Sequence, residues 1–182
     1  MKKYIFILMI VLFTLAGCSR VPWVIKSEPS AQIFENNLYT IQFAPTDATN
    51  YSYVAFVLTI ENKTDKDIDL IWDRTYYLQG GQTTGGFLFE GVLYRDRNDS
   101  KPPDVIFPKQ KFVKKIYPNI LAEFDKRWHH NILPNGENGI YLSLKIEKEE
   151  IREKLTVNIF AGYDESQRYQ TGLGELVQKV KK

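Results

Sequence analysis

The sequence predicts an all-β protein, an antiparallel β-sandwich of seven or eight strands. Three observations predict it. Apolar and polar residues alternate with period two in short segments from residue 38 onward, the pattern of strands with one buried face. Turn-forming residues interrupt those segments every 8–12 residues, a spacing that belongs to sandwiches and barrels. Aromatics make up 14% of the chain, with 11 Tyr and 11 Phe, and large aromatic side chains fit a pleated, half-buried surface. No segment before residue 119 carries a helical period.

The strands follow in order. LYTIQFAP (38–45) alternates and stops at Pro45. In YSYVAFVLTIEN (51–62), Val54, Phe56, Leu58 and Ile60 form one wholly apolar face, which predicts a central strand. NKTDKD (62–67) reads as a polar turn, and IDLIWD (68–73) places Ile68, Leu70 and Trp72 on one face. TYYLQG (75–80) and GFLFEGVLY (86–94) flank a glycine-rich loop, and RDRNDSKPPD (95–104) is a polar loop with two prolines. KFVKKIYP (111–118) alternates weakly and carries three lysines, the composition of a protected edge strand. NGENG (135–139) predicts turns at its two Asn-Gly pairs, before IYLSLKIE (140–147), with Ile140, Leu142, Leu144 and Ile146 inward. KEEIREK (148–154) reads as a charged connection, with room for a helical turn, before LTVNIFAGY (155–163) returns as a strand. NILAEFDKRWHHNILP (119–134) is a candidate for a short helix around 119–130.

The succession LTIENKTDKDIDLIWD, VIFPKQKFVKKIYP and a closing hairpin resembles immunoglobulin-like domains of bacterial envelope proteins. The resemblance covers roughly 38–163 and implies that fold, without the cysteine pair of antibody domains. The sandwich domain is accordingly assigned to 37–165, after a tether over 18–36 and before a polar, basic tail over 166–182. In that tail, GELVQKVKK (174–182) has Glu early and lysines late, an order suited to a short helix and its dipole.

The chain opens MKKYIFILMIVLFTLAGC. Lys2 and Lys3 precede an apolar run, and small residues end it, the anatomy of a secretory signal. The run is shorter than the roughly 20 residues of a membrane span. Leu15-Ala16-Gly17-Cys18 resembles the lipobox of bacterial lipoproteins. The resemblance implies removal of residues 1–17, diacylglycerol on the thiol of Cys18 and acylation of the new amino group. It implies an envelope location too. Ser19, rather than Asp, follows the cysteine, which in a double-membrane host implies transfer to the outer membrane, facing the periplasm; in a single-membrane host the same anchor implies the outer cell surface. Cys18 is the sole cysteine, so no disulfide forms within the chain, and a thiol on an arm has no base fixed beside it.

Removing 17 residues from 182 leaves 165, enough for one domain with a real core. The 24 Lys and Arg become 22 when Lys2 and Lys3 go, equal to the 22 Asp and Glu. Nucleic-acid binding requires an excess of positive charge, and this balance argues against it.

GGQTTGG (80–86) does not match a phosphate loop, because Phe87 and Leu88 stand where Lys and Ser or Thr are required. It reads as a hairpin loop whose glycines take positive φ, with Gln82, Thr83 and Thr84 as candidate partner contacts. Asp96, Asn98 and Ser100 alternate as in a calcium loop, but Lys101 and Phe107 occupy the positions that need Gly and Glu. His129 and His130 are adjacent, so their side chains diverge, and no Cys or further His stands at ligand spacing.

The expected function is that of a non-enzymatic binding or accessory module of the bacterial envelope. Its expected partners are the membrane, through Cys18, and another envelope protein. No cofactor, metal, nucleotide or nucleic acid is expected. The alternatives are a small-ligand binder using Trp72, Tyr76 and Tyr77, and a hydrolase of envelope polymer using two of Asp96, Asp99 and Asp104.

Overall fold

The computed structural model describes residues 21–164. Cys18, the signal over 1–17 and the tail over 166–182 lie outside the described residues. Residues 25–162 form one compact unit. A second unit is described only at 21–24 and 163–164, where the Trp23 and Tyr163 rings meet edge-on at 5.2 Å and the Asp164 N–H donates to the Pro22 carbonyl at 3.1 Å.

The fold is an immunoglobulin-like antiparallel β-sandwich. Its strands are β1 (Trp23–Glu28), β2 (Gln32–Glu35), β3 (Tyr39–Thr46), β4 (Ala55–Asn62), β5 (Ile68–Leu70), β6 (Tyr76–Gln79), β7 (Gln82–Thr83), β8 (Phe87–Leu88), β9 (Asp104–Ile106), β10 (Lys111–Pro118), β11 (Ala122–Asp125), β12 (Arg127–His130), β13 (Gly136–Ile146) and β14 (Glu149–Tyr163). One sheet runs β1-β14-β13-β5-β9, with β6 also on β13 and β7 on β6; the other runs β2-β3-β4-β10-β8. β11 and β12 form a separate hairpin.

The core draws on most of the predicted apolar faces, without Val54 and with Ile146 only partly buried, and adds Tyr77 and Ile116. Tyr39, Ile41, Phe43, Phe56, Leu58, Ile60 and Ile116 come from one sheet; Ile68, Leu70, Tyr77, Ile140, Leu142, Leu144, Leu155, Val157 and Ile159 come from the other. Three aromatics hold its middle: Phe43 stacks on Phe56 at 4.4 Å, and Phe56 meets Tyr77 at 6.3 Å. The Tyr77 hydroxyl donates to Asn138 Oδ1, and burial pushes the Tyr77 phenol well above its ordinary pKa. Tyr39 donates to Glu153 Oε1 at 2.7 Å; burial first, then that bond, raises its pKa too.

Four expectations are corrected. The segment 18–36 is not simply a tether, because β1 and β2 lie within it. Both end their sheet orders, and Ile33 in β2 is exposed. Edge strands held largely by ladder bonds show little apolar period, which is why the sequence reads as coil there.

The candidate helix around 119–130 is a single 3₁₀ turn (Asn119–Leu121) followed by β11 and β12. The chain reverses at Lys126, φ 59°, and Asp125 pairs with Arg127 and Phe124 with Trp128.

NGENG is not a turn. β13 begins at Gly136 because asparagine amides stand in for backbone partners. Asn135 donates to the Ala161 carbonyl at 2.9 Å and accepts the Ala161 N–H at 2.8 Å, as a paired strand residue would. Finally, residues 149–154 belong to β14. The reversal needs only Glu147 and Lys148 between Ile146 and Glu149, with Glu147 at φ 54°.

Candidate functional site

The two strands flanking the polar turn at 62–67 build the site. β4 is central, as its apolar face predicts, with β3 on one side and β10 on the other. β10 is nearly an edge, since β8 covers only its last two residues, Tyr117 opposite Leu88 and Pro118 opposite Phe87. The reason lies in the next four residues. Phe89 to Val92 closes a turn, with the Val92 N–H donating to the Phe89 carbonyl at 3.2 Å and Gly91 at φ 92°. A positive φ at the third turn position is the type II arrangement and requires glycine or a near equivalent. The expected strand over 86–94 therefore ends at Leu88, and the chain leaves the edge of β10.

The register fixes where the amides of β10 point. Lys111 stands opposite Glu61, and the Asn62 N–H donates to the Gln110 carbonyl at 2.9 Å. Gln110 and Asn62 are thus a hydrogen-bonded pair, and such pairs alternate along an antiparallel ladder. Phe112, Lys114 and Ile116 bond to β4. The N–H and C=O groups of Lys111, Val113 and Lys115 point to the other edge.

A groove of about 690 Å³ runs there, lined by Leu88 to Val92, Val113 to Lys115, Tyr117 and His130. Its inner wall is aromatic. Lys114 turns inward, donates to Asp104 Oδ2 and lies 4.1 Å from the Phe89 ring centroid, 5.4 Å from Trp72 and 5.5 Å from Phe112. Trp72 Nε1 donates to the same carboxylate oxygen at 2.8 Å. Tyr117 stacks on His130 at 4.0 Å, with 13° between planes. Burial, and then the neighbouring His129, lowers the His130 pKa. On the outer face, Val113 is 59% exposed, and Lys115 holds Asp47 at 2.9 Å, a pairing that raises the pKa of the lysine.

The structure separates the sequence-predicted contacts. Gln82 and Thr83 are exposed in β7, paired with Gln79 and Leu78. Thr84 instead lines a smaller polar recess of about 350 Å³ with Arg97, Asn98 and Asn119. Thr84 Oγ1 and Asn119 Oδ1 are buried there without a hydrogen-bond partner among the described residues.

Asp96, Asn98 and Ser100 take three separate partners: Arg95 at 3.1 Å, Asn119 at 2.8 Å and Asp73. Asp104 is held by Trp72 and Lys114. Among the described residues, no three His, Cys, Asp or Glu side chains group as metal ligands. Of the aromatic trio, Trp72 and Tyr77 are core residues and only Tyr76 is exposed.

The lysine-rich composition of β10 predicts an edge strand, whereas β10 lies between β4 and β8 and is open only ahead of Tyr117. The groove beside it had one available signal in the sequence, Glu90-Gly91 after the apolar residues Phe87, Leu88 and Phe89. No known family's profile matches this chain, and no curated protein sequence matches it. What fold and site define together is a class: an immunoglobulin-like sandwich with one open, grooved edge.

Proposed function

We propose that this chain is a non-enzymatic binding module of the bacterial cell envelope, anchored by acyl chains on Cys18. The observation that carries the reading is Leu15-Ala16-Gly17-Cys18 at the end of a short apolar run behind Lys2 and Lys3. Two or three acyl chains at about 0.8 kcal/mol per buried methylene hold a protein at a membrane almost permanently. Among the described residues, no helix is long and apolar enough to cross a membrane.

Strand β1 supports the reading and sharpens it. It begins at Trp23, five residues after Cys18, a span of at most about 18 Å of extended chain. The domain therefore works close against the lipid surface, nearer than a tether over 18–36 would hold it. With Ser19 after the cysteine, the address is the outer membrane, periplasmic side, in a double-membrane host.

The test is fractionation. Cys18→Ala should move the protein from the membrane and detergent phase to the soluble phase nearly completely. Ser19→Asp should leave it membrane-bound and shift it to the inner-membrane fraction of a density gradient. A Cys18→Ala variant that stays with the membrane overturns the anchor; an unmoved Ser19→Asp variant overturns only the address.

A further inference from the structure

We infer that the open edge of β10 takes up an extended segment of a partner protein as an added strand, with an acidic side chain of that segment opposite Lys111. This rests on the binding-module reading and names how that module binds.

The edge has what strand addition needs. The amides of Lys111, Val113 and Lys115 point outward, as the register requires. The turn at Phe89–Val92 keeps this chain's own backbone from pairing with them. Main-chain hydrogen bonds of this kind supply affinity, and alternate side chains supply specificity.

Other sheet ends offer less. β9 is three residues long and β2 four. β1 has six residues against the eight of β10.

Two faces select the occupant. On the inner side, the added strand would set alternate residues beside Phe89, Leu88 and Val92, so apolar residues fit there. On the outer side it would meet Lys111, Val113 and Lys115 in turn. Lys111 is exposed and makes no ion pair among the described residues, whereas Lys115 already holds Asp47. An acidic side chain opposite Lys111 completes the edge.

A second copy of this chain fits poorly. Two-fold pairing centred on Val113 sets Lys111 opposite Lys115, and like charges directly opposite oppose pairing.

The probe is a labelled, end-capped peptide, Ser-Glu-Ile-Thr-Phe-Glu-Ser, titrated against the full chain in non-ionic detergent. Its Glu, Thr and Glu alternate on the outer side and its Ile and Phe on the inner. Micromolar binding is expected, at least tenfold tighter than that of the peptide with both Glu replaced by Lys. Methylating the backbone nitrogens of Thr and both Glu should abolish it.

Val113→Pro removes one outward N–H without touching the β4 ladder, and should weaken binding at least tenfold. Lys111→Glu, which leaves the backbone alone, should reverse the preference between the two peptides. Absence of binding, equal binding of the methylated peptide, or an unreversed preference in Lys111→Glu overturns the inference. Membrane attachment through Cys18 is unaffected by any of these results, so the two readings fail separately.

Discussion

Gly139→Ala should destabilise the domain by roughly 3 kcal/mol or more, at the upper end of overpacking costs. Gly139 lies in β13 with Thr156 of β14 on one side and Leu78 of β6 on the other. A Cβ added there would stand 2.5 Å from the Leu155 carbonyl oxygen, 2.7 Å from Thr156 Cγ2 and 3.2 Å from Thr156 Cα. Two of those atoms are backbone, so relief means shifting the β13–β14 ladder. At about 2–4 °C per kcal/mol for a domain of this size, thermal unfolding should fall by about 10 °C. Gly80→Ala is the comparison. Gly80 sits at φ 56° with nothing within 4 Å of the added carbon, so its cost is the left-handed backbone alone, roughly 1–2 kcal/mol. Equal melting losses for the two variants would contradict the packing argument.

Asn62→Ala should cost roughly 3 kcal/mol, through hydrogen bonds rather than volume. Asn62 is buried at the end of β4. Its Nδ2 donates to the carbonyls of Lys66, Ile106 and Phe107 at 2.7, 2.9 and 3.2 Å, and its Oδ1 accepts from the Thr64 N–H and hydroxyl at 2.9 and 2.8 Å. One side chain thus shapes the 62–67 turn and fastens it to the β9–β10 connection. Each group left buried without a partner costs about 1–3 kcal/mol, and water reaching the half-exposed turn recovers part of the total. Denaturant unfolding reads the loss. The same residue starts the β4–β10 register through its N–H to Gln110, so hydrogen exchange in β10 should quicken as well. A stability loss below about 0.5 kcal/mol, the scale of an ordinary surface substitution, would show that Asn62 does not organise the turn.

The contrast between these residues and the sequence pattern shows what was legible and why. Alternation reports burial, so β3, β4 and β10, and the shared face of Ile68, Leu70 and Trp72, could be read directly. Asn62 was legible only as part of a polar turn, because an amide that replaces backbone partners looks like any loop polar residue. The same cause hid Asn135, whose two bonds to Ala161 turn an Asn-Gly signal into the approach to a strand. β1 and β2 escaped because edge strands need little apolar surface. β11 and β12 read as helix because Ile120, Leu121 and Phe124 have helical spacing, although Ile120 and Phe124 are exposed and do not mark a buried stripe. For the site, the lysines of β10 marked an edge, but the groove depends on the chain turning away at Gly91, which a run of apolar residues through Phe89 concealed.

Under the proposed acylation of Cys18, anchoring would confine the module to a thin layer and so raise its effective concentration toward any partner in that layer. A modest strand-addition affinity then suffices, and the lysines that discourage self-pairing leave the edge available.

The anchor is the central claim, and mass spectrometry of the mature N-terminal peptide tests it most directly. The expected product is a peptide that begins at Cys18 and carries a thioether-linked diacylglycerol. A peptide beginning elsewhere, or Cys18 with an unmodified thiol, would contradict it.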